Sequence, residues 1–114
     1  METIKKTPNF HQNAYVSAEI SDLESLGWDF LSDHESVAQS QEISLEEAIR
    51  YNHTHYHVNI KVNEDGRTGW YFQQNAEFGN EVSDIEPTGD DEQTIKDLYQ
   101  LHSEDKLWHI YEGQ

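Results

Sequence analysis

The stretch from Tyr51 to Gln74, YNHTHYHVNIKVNEDGRTGWYFQQ, decides the fold, because strand periodicity, turn chemistry and large apolar side chains coincide only there. Val58, Ile60 and Val62 alternate with His57, Asn59 and Lys61. This period of two predicts a strand with one buried and one solvated face. Asn63-Glu64-Asp65-Gly66 then turns the chain, with Gly66 supplying the positive φ of a turn followed by a left-handed residue. If Asn63 and Arg67 form the first pair across the turn, Val62 faces Thr68, Ile60 faces Trp70 and Val58 faces Phe72. Cross-strand pairs of an aromatic with a β-branched residue contribute roughly 0.2–1 kcal/mol each, so this register supports itself.

Toward the N-terminus, Ala14, Val16, Ala18 and Ile20 alternate with polar residues and predict a second strand. Residues 1–12 are expected to form a flexible arm ahead of it. Ser21 followed by Glu24 has the spacing of a capping box, Leu23 and Leu26 fit a short helix, and Gly27 ends it. Trp28 to Leu31 then reads as a short strand, and residues 32–43 as an irregular polar connection. Ser44-Leu45-Glu46-Glu47 opens a clearer helix with Leu45, Ala48 and Ile49 inward, ending by Asn52.

Beyond the hairpin, residues 75–92 read as an acidic linker in which Phe78, Val82 and Ile85 touch the core while Pro87 and Gly89 break the chain. Asp90 or Asp91 caps a helix from about Glu92 to His102, with Ile95, Leu98 and Leu101 inward. A closing strand over residues 106–111 puts Trp108 and Ile110 on the core. The expected fold class is α+β: one small acidic domain over residues 13–114, a mostly antiparallel four- or five-stranded sheet with two or three helices packed on one face.

The 114 residues allow one domain with a modest core. Only 34% are hydrophobic, but three Trp, six Tyr and four Phe supply large apolar areas. The absence of cysteine excludes disulfide scaffolds, zinc ribbons and thiol chemistry. There is no apolar run for a membrane span or signal peptide, so the expected location is cytoplasmic. No nucleophile motif, phosphate loop or cofactor signature occurs, and no cofactor is expected.

Charge carries the functional expectation: 23 Asp and Glu oppose 7 Lys and Arg, for a net of −16. Nine acids lie between Lys6 and Arg50 without an intervening Lys or Arg: Glu19, Asp22, Glu24, Asp29, Asp33, Glu35, Glu42, Glu46 and Glu47. Seven more lie between Arg67 and Lys96: Glu77, Glu81, Asp84, Glu86, Asp90, Asp91 and Glu92. Such an excess costs stability through self-repulsion and calls for a partner with a basic surface. The expected function is a non-enzymatic inhibitor that imitates nucleic acid. It would fill the basic groove of a nuclease or of a CRISPR or restriction effector, as phage and mobile-element anti-CRISPR and anti-restriction proteins do. The expected contacts are Asp22, Glu24, Asp33, Glu35, Glu42, Glu46, Glu47, Glu81, Asp84, Glu86, Asp90 and Asp91, with Tyr15, Tyr51 or Phe78 as aromatic hot spots. Direct nucleic-acid binding and membrane binding are not expected, and the chain is read as a monomer or dimer. One alternative is an immunity protein or antitoxin covering a basic nuclease toxin.

A second alternative rests on His53, His55 and His57. In a strand they would project from one face about 6–7 Å apart, close enough for two of them to hold one metal ion in a small metal-dependent enzyme. The plainer reading is a solvent-facing polar edge.

Overall fold

The computed structural model describes residues 6–74 and 85–109. The chain runs β1 (Ala14–Ala18), α1 (Ile20–Ser25), α2 (Leu31–Gln41), α3 (Leu45–His55), β2 (Tyr56–Val62), β3 (Thr68–Gln74), β4 (Glu86–Pro87), α4 (Asp91–Ser103) and β5 (Trp108–His109). The sheet order is β4-β3-β2-β1-β5, and every neighbouring pair is antiparallel. The α+β class therefore stands, with four helices among the described residues in place of the two or three expected.

The hairpin has the expected register: Val62 pairs with Thr68, Ile60 with Trp70 and Val58 with Phe72. Its turn closes through the Asn63 amide donating to Arg67 O at 2.8 Å and the Gly66 amide donating to Asn63 O at 2.9 Å. Gly66 sits at φ +85°, and Asp65 Oδ1 accepts from the Arg67 amide. On the other side of β2, Val58, Ile60 and Val62 pair with Ala18, Val16 and Ala14. These residues form one core with Ile20 and Leu23 of α1, Phe30, and Ile95, Leu98 and Leu101 of α4.

The opposite sheet face is not the solvated one expected from the alternation. Ser17, His57 and Asn59 on it are buried. Tyr15 and Tyr71, a cross-sheet pair with hydroxyl oxygens 2.9 Å apart, share this face. Trp108 pairs with Ser17 and so belongs to this second face, while the neighbouring Leu107 enters the core. The core position expected of Trp108 is thus corrected by one residue; Ile110 lies outside the described residues.

Five other expectations change. Tyr51 to His55 extend α3 instead of β2: Thr54 Oγ1 donates back to Arg50 O, and the His55 ring nitrogen Nδ1 lies 3.0 Å from Tyr51 O. The Ser44–Glu47 capping box that starts this helix is present, but Leu45 is exposed. At α1 the N-cap is Glu19, and Ser21 makes no cap. The Gly27 stop is a Schellman motif, with Gly27 N donating to Glu24 O and Trp28 N to Leu23 O. Trp28 to Phe30 form no strand. Leu31, expected to end a strand, and most of residues 32–43, expected to be irregular, instead make three turns of helix over Leu31–Gln41, whose first amide is held by Asp29 Oδ1 at 2.9 Å. That helix stops at Glu42 in the left-handed region, φ 57°, a position Gly or Asn usually fills.

The arm expected over residues 1–12 is docked by residue 10. Phe10 is fully buried, packs edge-on against Tyr99 at 4.8 Å between ring centroids, and its amide donates to the Tyr99 hydroxyl. Among the described residues, no helix is long and apolar enough to cross a membrane. Phe10→Ala removes a whole core ring and is expected to destabilise the domain by about 3–5 kcal/mol. Urea unfolding checks this; a loss below ~1 kcal/mol would return residue 10 to a dispensable arm.

Candidate functional site

The two base-free acidic blocks meet in space at the start of α2. Asp33, on the first turn of that helix, is half-buried, and its carboxyl is held above the usual carboxylate range first by burial, then by the negative charges of Glu86 on β4 and of Asp29. Glu86 is placed by the β3–β4 pairing, in which Trp70 faces Glu86 and Gly69 faces Pro87. A side chain at position 69 would collide with Ile85, so glycine is what lets this acidic strand approach.

Beside this meeting point lies an open cleft of about 330 Å³. Its walls include the half-buried indoles of Trp28 and Trp70 and the carboxylates of Asp29, Asp90 and Asp97, with no Lys or Arg among the lining residues. Phe30 braces the indoles, edge-on to Trp70 at 5.0 Å and tilted on Trp28 at 6.1 Å. Asp97 is buried and accepts from Trp28 Nε1 at 2.8 Å and from Gln93 Nε2 at 3.0 Å. Two aromatic faces and three carboxylates in one concavity can receive a guanidinium or ammonium group by cation–π contact and charge-assisted hydrogen bonds. Trp28, Trp70, Asp29 and Asp97 were not among the expected contacts. Asp97 had a sequence signal: it sits between Thr94 and Leu101 on the inward stripe of α4, where an acid is out of place.

The other expected contacts divide between local duties and open surface. Glu47 closes the capping box of α3, and Asp90 caps α4 by accepting from the Gln93 amide. Asp91 accepts from the amide and hydroxyl of Thr68, and that amide holds its carboxyl below the usual range. Asp22 lies 3.7 Å from Lys106. Glu24 is turned toward two histidines. Glu35, Glu42, Glu46 and Glu86 are exposed. Glu81 and Asp84, with Phe78, lie outside the described residues. Among the described residues, the acids within 4.0 Å of a Lys or Arg are Asp22, Glu46, Asp65 and Glu104. Of the expected aromatic hot spots, Tyr51 stacks on His55 at 4.2 Å and Tyr15 is tied to Tyr71.

The expected histidine row does not exist. His53 and His55 are on α3, where residues two apart point to nearly opposite sides, and His57 is buried in β2. His53 instead joins Glu24 of α1 and His34 of α2. Nε2 of His34 lies 2.8 Å from Glu24 Oε2, and Nε2 of His53 lies 2.8 Å from Glu24 Oε1. One ligand atom from each of the three residues falls within 4.8 Å of the others. His34 is buried, and the carboxamide of Asn52 reaches its Nδ1 at 2.9 Å.

The raised carboxyl of Asp33 carries a pH signature. A carboxyl with a folded pKa above its unfolded value favours the folded state only when protonated, so stability falls as pH rises from about 3.8 through the higher folded value. Asp33→Asn should therefore raise the melting temperature at pH 7 by a few degrees and lose this advantage at the acid end of that window. Parallel thermal melts across pH test it; equal melting temperatures at neutral pH would remove the repulsion from consideration. No family model, no curated protein and no solved structure matches the chain.

Proposed function

We propose that this protein is a non-enzymatic acidic inhibitor that imitates nucleic acid and occupies the basic nucleic-acid-binding groove of a partner, a nuclease or a CRISPR or restriction effector. The observation that carries the reading is the convergence of two acidic blocks, distant in sequence, around an aromatic cleft without a lining cation. Duplex DNA presents about one negative charge per 1.7 Å of axis, and its binding proteins neutralise that charge with Lys and Arg. The long dimension of this molecule is 41 Å, comparable to one duplex turn of about 34–36 Å. Its exposed carboxylates face the partner's basic residues. The cleft receives one Arg or Lys between Trp28 and Trp70. Like charge keeps the inhibitor itself off nucleic acid, and it acts in the cytoplasm, where such effectors work.

Structural duties complicate the obvious charge reversals, because Glu47 and Asp90 cap helices and their loss costs about 0.5–2 kcal/mol each. The informative pair is Asp33→Lys with Glu86→Lys at the cleft, against Glu42→Lys with Glu46→Lys on open surface. Both doubles change net charge equally. Displacement of labelled duplex from purified basic nucleases and effectors is the assay, with the parent weakening steeply between about 50 and 200 mM salt. The cleft double should lose about a hundredfold in apparent affinity and the surface double less than about tenfold. Parental displacement by both doubles, or no displacement from any such protein by the parent, would sink the reading.

A further inference from the structure

Three helices deliver one donor each to a single point: Glu24 from α1, His34 from α2 and His53 from α3. We propose that this point binds one divalent transition-metal cation of the zinc type, with His34 Nε2, His53 Nε2 and a Glu24 carboxylate oxygen as protein ligands and water in the fourth position. The inference goes beyond the inhibitor reading and stands independently of it.

The donor set is one that zinc accepts, two imidazoles and a carboxylate. Tetrahedral zinc with ligand bonds of about 2.0–2.2 Å sets its donors roughly 3.3–3.5 Å apart. The donors here lie within 4.8 Å of one another, so closure shortens the widest separation by roughly 1.5 Å at most, in side chains already converging. An outer contact for His34 is one carboxamide turn away. A metal-bound imidazole donates its second ring N–H to an oxygen; here Asn52 Nδ2 sits 2.9 Å from His34 Nδ1 while Asn52 Oδ1 is buried without a hydrogen-bond partner, and turning the carboxamide over brings that oxygen to Nδ1. With its oxygen toward Nδ1–H, Asn52 fixes the tautomer that leaves the Nε2 lone pair bare.

A hydrogen-bonded clamp of the same residues is the competing account, and two features favour the cation. His34 is the one buried side chain of α2, and it ties that helix to Glu24 of α1 and to Asn52 of α3. A coordinated ion would strengthen the tie among the three helices. The cluster is also reachable: the His53 and Glu24 side chains are 33% and 29% exposed, which leaves an entry path and room for water. Glu19, beside His53, and Asp22, beside Glu19, add negative potential on the same side.

Chelator-treated protein titrated with zinc, and separately with cobalt, provides the test. The expected result is one zinc bound per chain at micromolar concentrations, a melting temperature raised by several degrees, and visible cobalt bands of a tetrahedral N/O site. His53→Ala, half-exposed in the parent and therefore expected to fold, should weaken zinc at least tenfold and abolish the cobalt bands. His55→Ala removes an exposed ring stacked on Tyr51 outside the cluster and should bind as the parent does. Circular dichroism confirms that both variants are folded. Absence of stoichiometric zinc binding, parental affinity in folded His53→Ala, or loss of the site in folded His55→Ala would each overturn the assignment.

Discussion

Strand β2 is paired on both sides, with β3 over Tyr56–Val62 and with β1 over residues 58–62, and this double pairing constrains everything else. Val58, Ile60 and Val62 meet Ala18, Val16 and Ala14 on one side and Phe72, Trp70 and Thr68 on the other. A slip of one residue would turn all three β2 side chains to the wrong face. Fully burying each such side chain is worth about 1.5–3 kcal/mol, so a slipped register would forfeit several kcal/mol before any helix docked. The same pairing sets Trp70 and Phe72 against Phe30 and brings Glu86 beside Trp70. The cleft and the acidic strand at its rim are thus consequences of the hairpin register.

That register was legible because its signals are local: alternation, a glycine in a four-residue turn and aromatic partners at matching distances. The α4 cap at Asp90 and the α3 capping box were legible for the same reason. Helix α2 was hidden. Its apolar residues Val37 and Ala38 are only half-buried, Leu31 is exposed, and its C-terminal stop falls on Glu42 rather than on glycine. Only His34 ties it inward, through partners 10 and 18 residues away that no local pattern discloses. The HTHYH run misled in the opposite sense. A period of two is visible in its letters, but the capping box at Ser44 propagates helix through His55, and β2 begins with no intervening linker. Once that helix continues, the three histidines must separate, and His53 becomes available to α1 and α2.

The acids divide into those that the fold employs and those that it tolerates. Glu47, Asp90, Asp29 and Asp91 accept backbone N–H groups at helix starts or strand edges, where negative charge is stabilising. Glu24 and Asp97 serve buried or half-buried donors. Helix chemistry alone therefore accounts for a good part of the acidic composition. It does not account for Asp33, whose half-buried carboxyl is disfavoured as an anion first by its burial and then by the charges of the exposed Glu86 and Asp29. A repulsion that the fold must carry, next to a cleft with aromatic walls, is where a binding role offers a reason that capping does not.

A uniform negative shell and a shaped cleft also do different things to a partner. Long-range charge raises the encounter rate with any basic protein and is weakened by salt, since its reach is about 8–10 Å under ordinary ionic conditions. It cannot choose among basic grooves. Two indoles fixed by Phe30 and by the Trp28–Asp97 hydrogen bond offer a rigid slot for one cation, and a slot acts on dissociation, where most differences in affinity between related complexes arise. On the proposed reading, the acidic surface governs how fast a partner arrives and the cleft governs which partner stays. The second of these depends on Trp28, which stands between the Schellman stop of α1 and the first turn of α2. Whatever steadies those two helices, the Glu24–His34–His53 cluster included, therefore also steadies one wall of the slot.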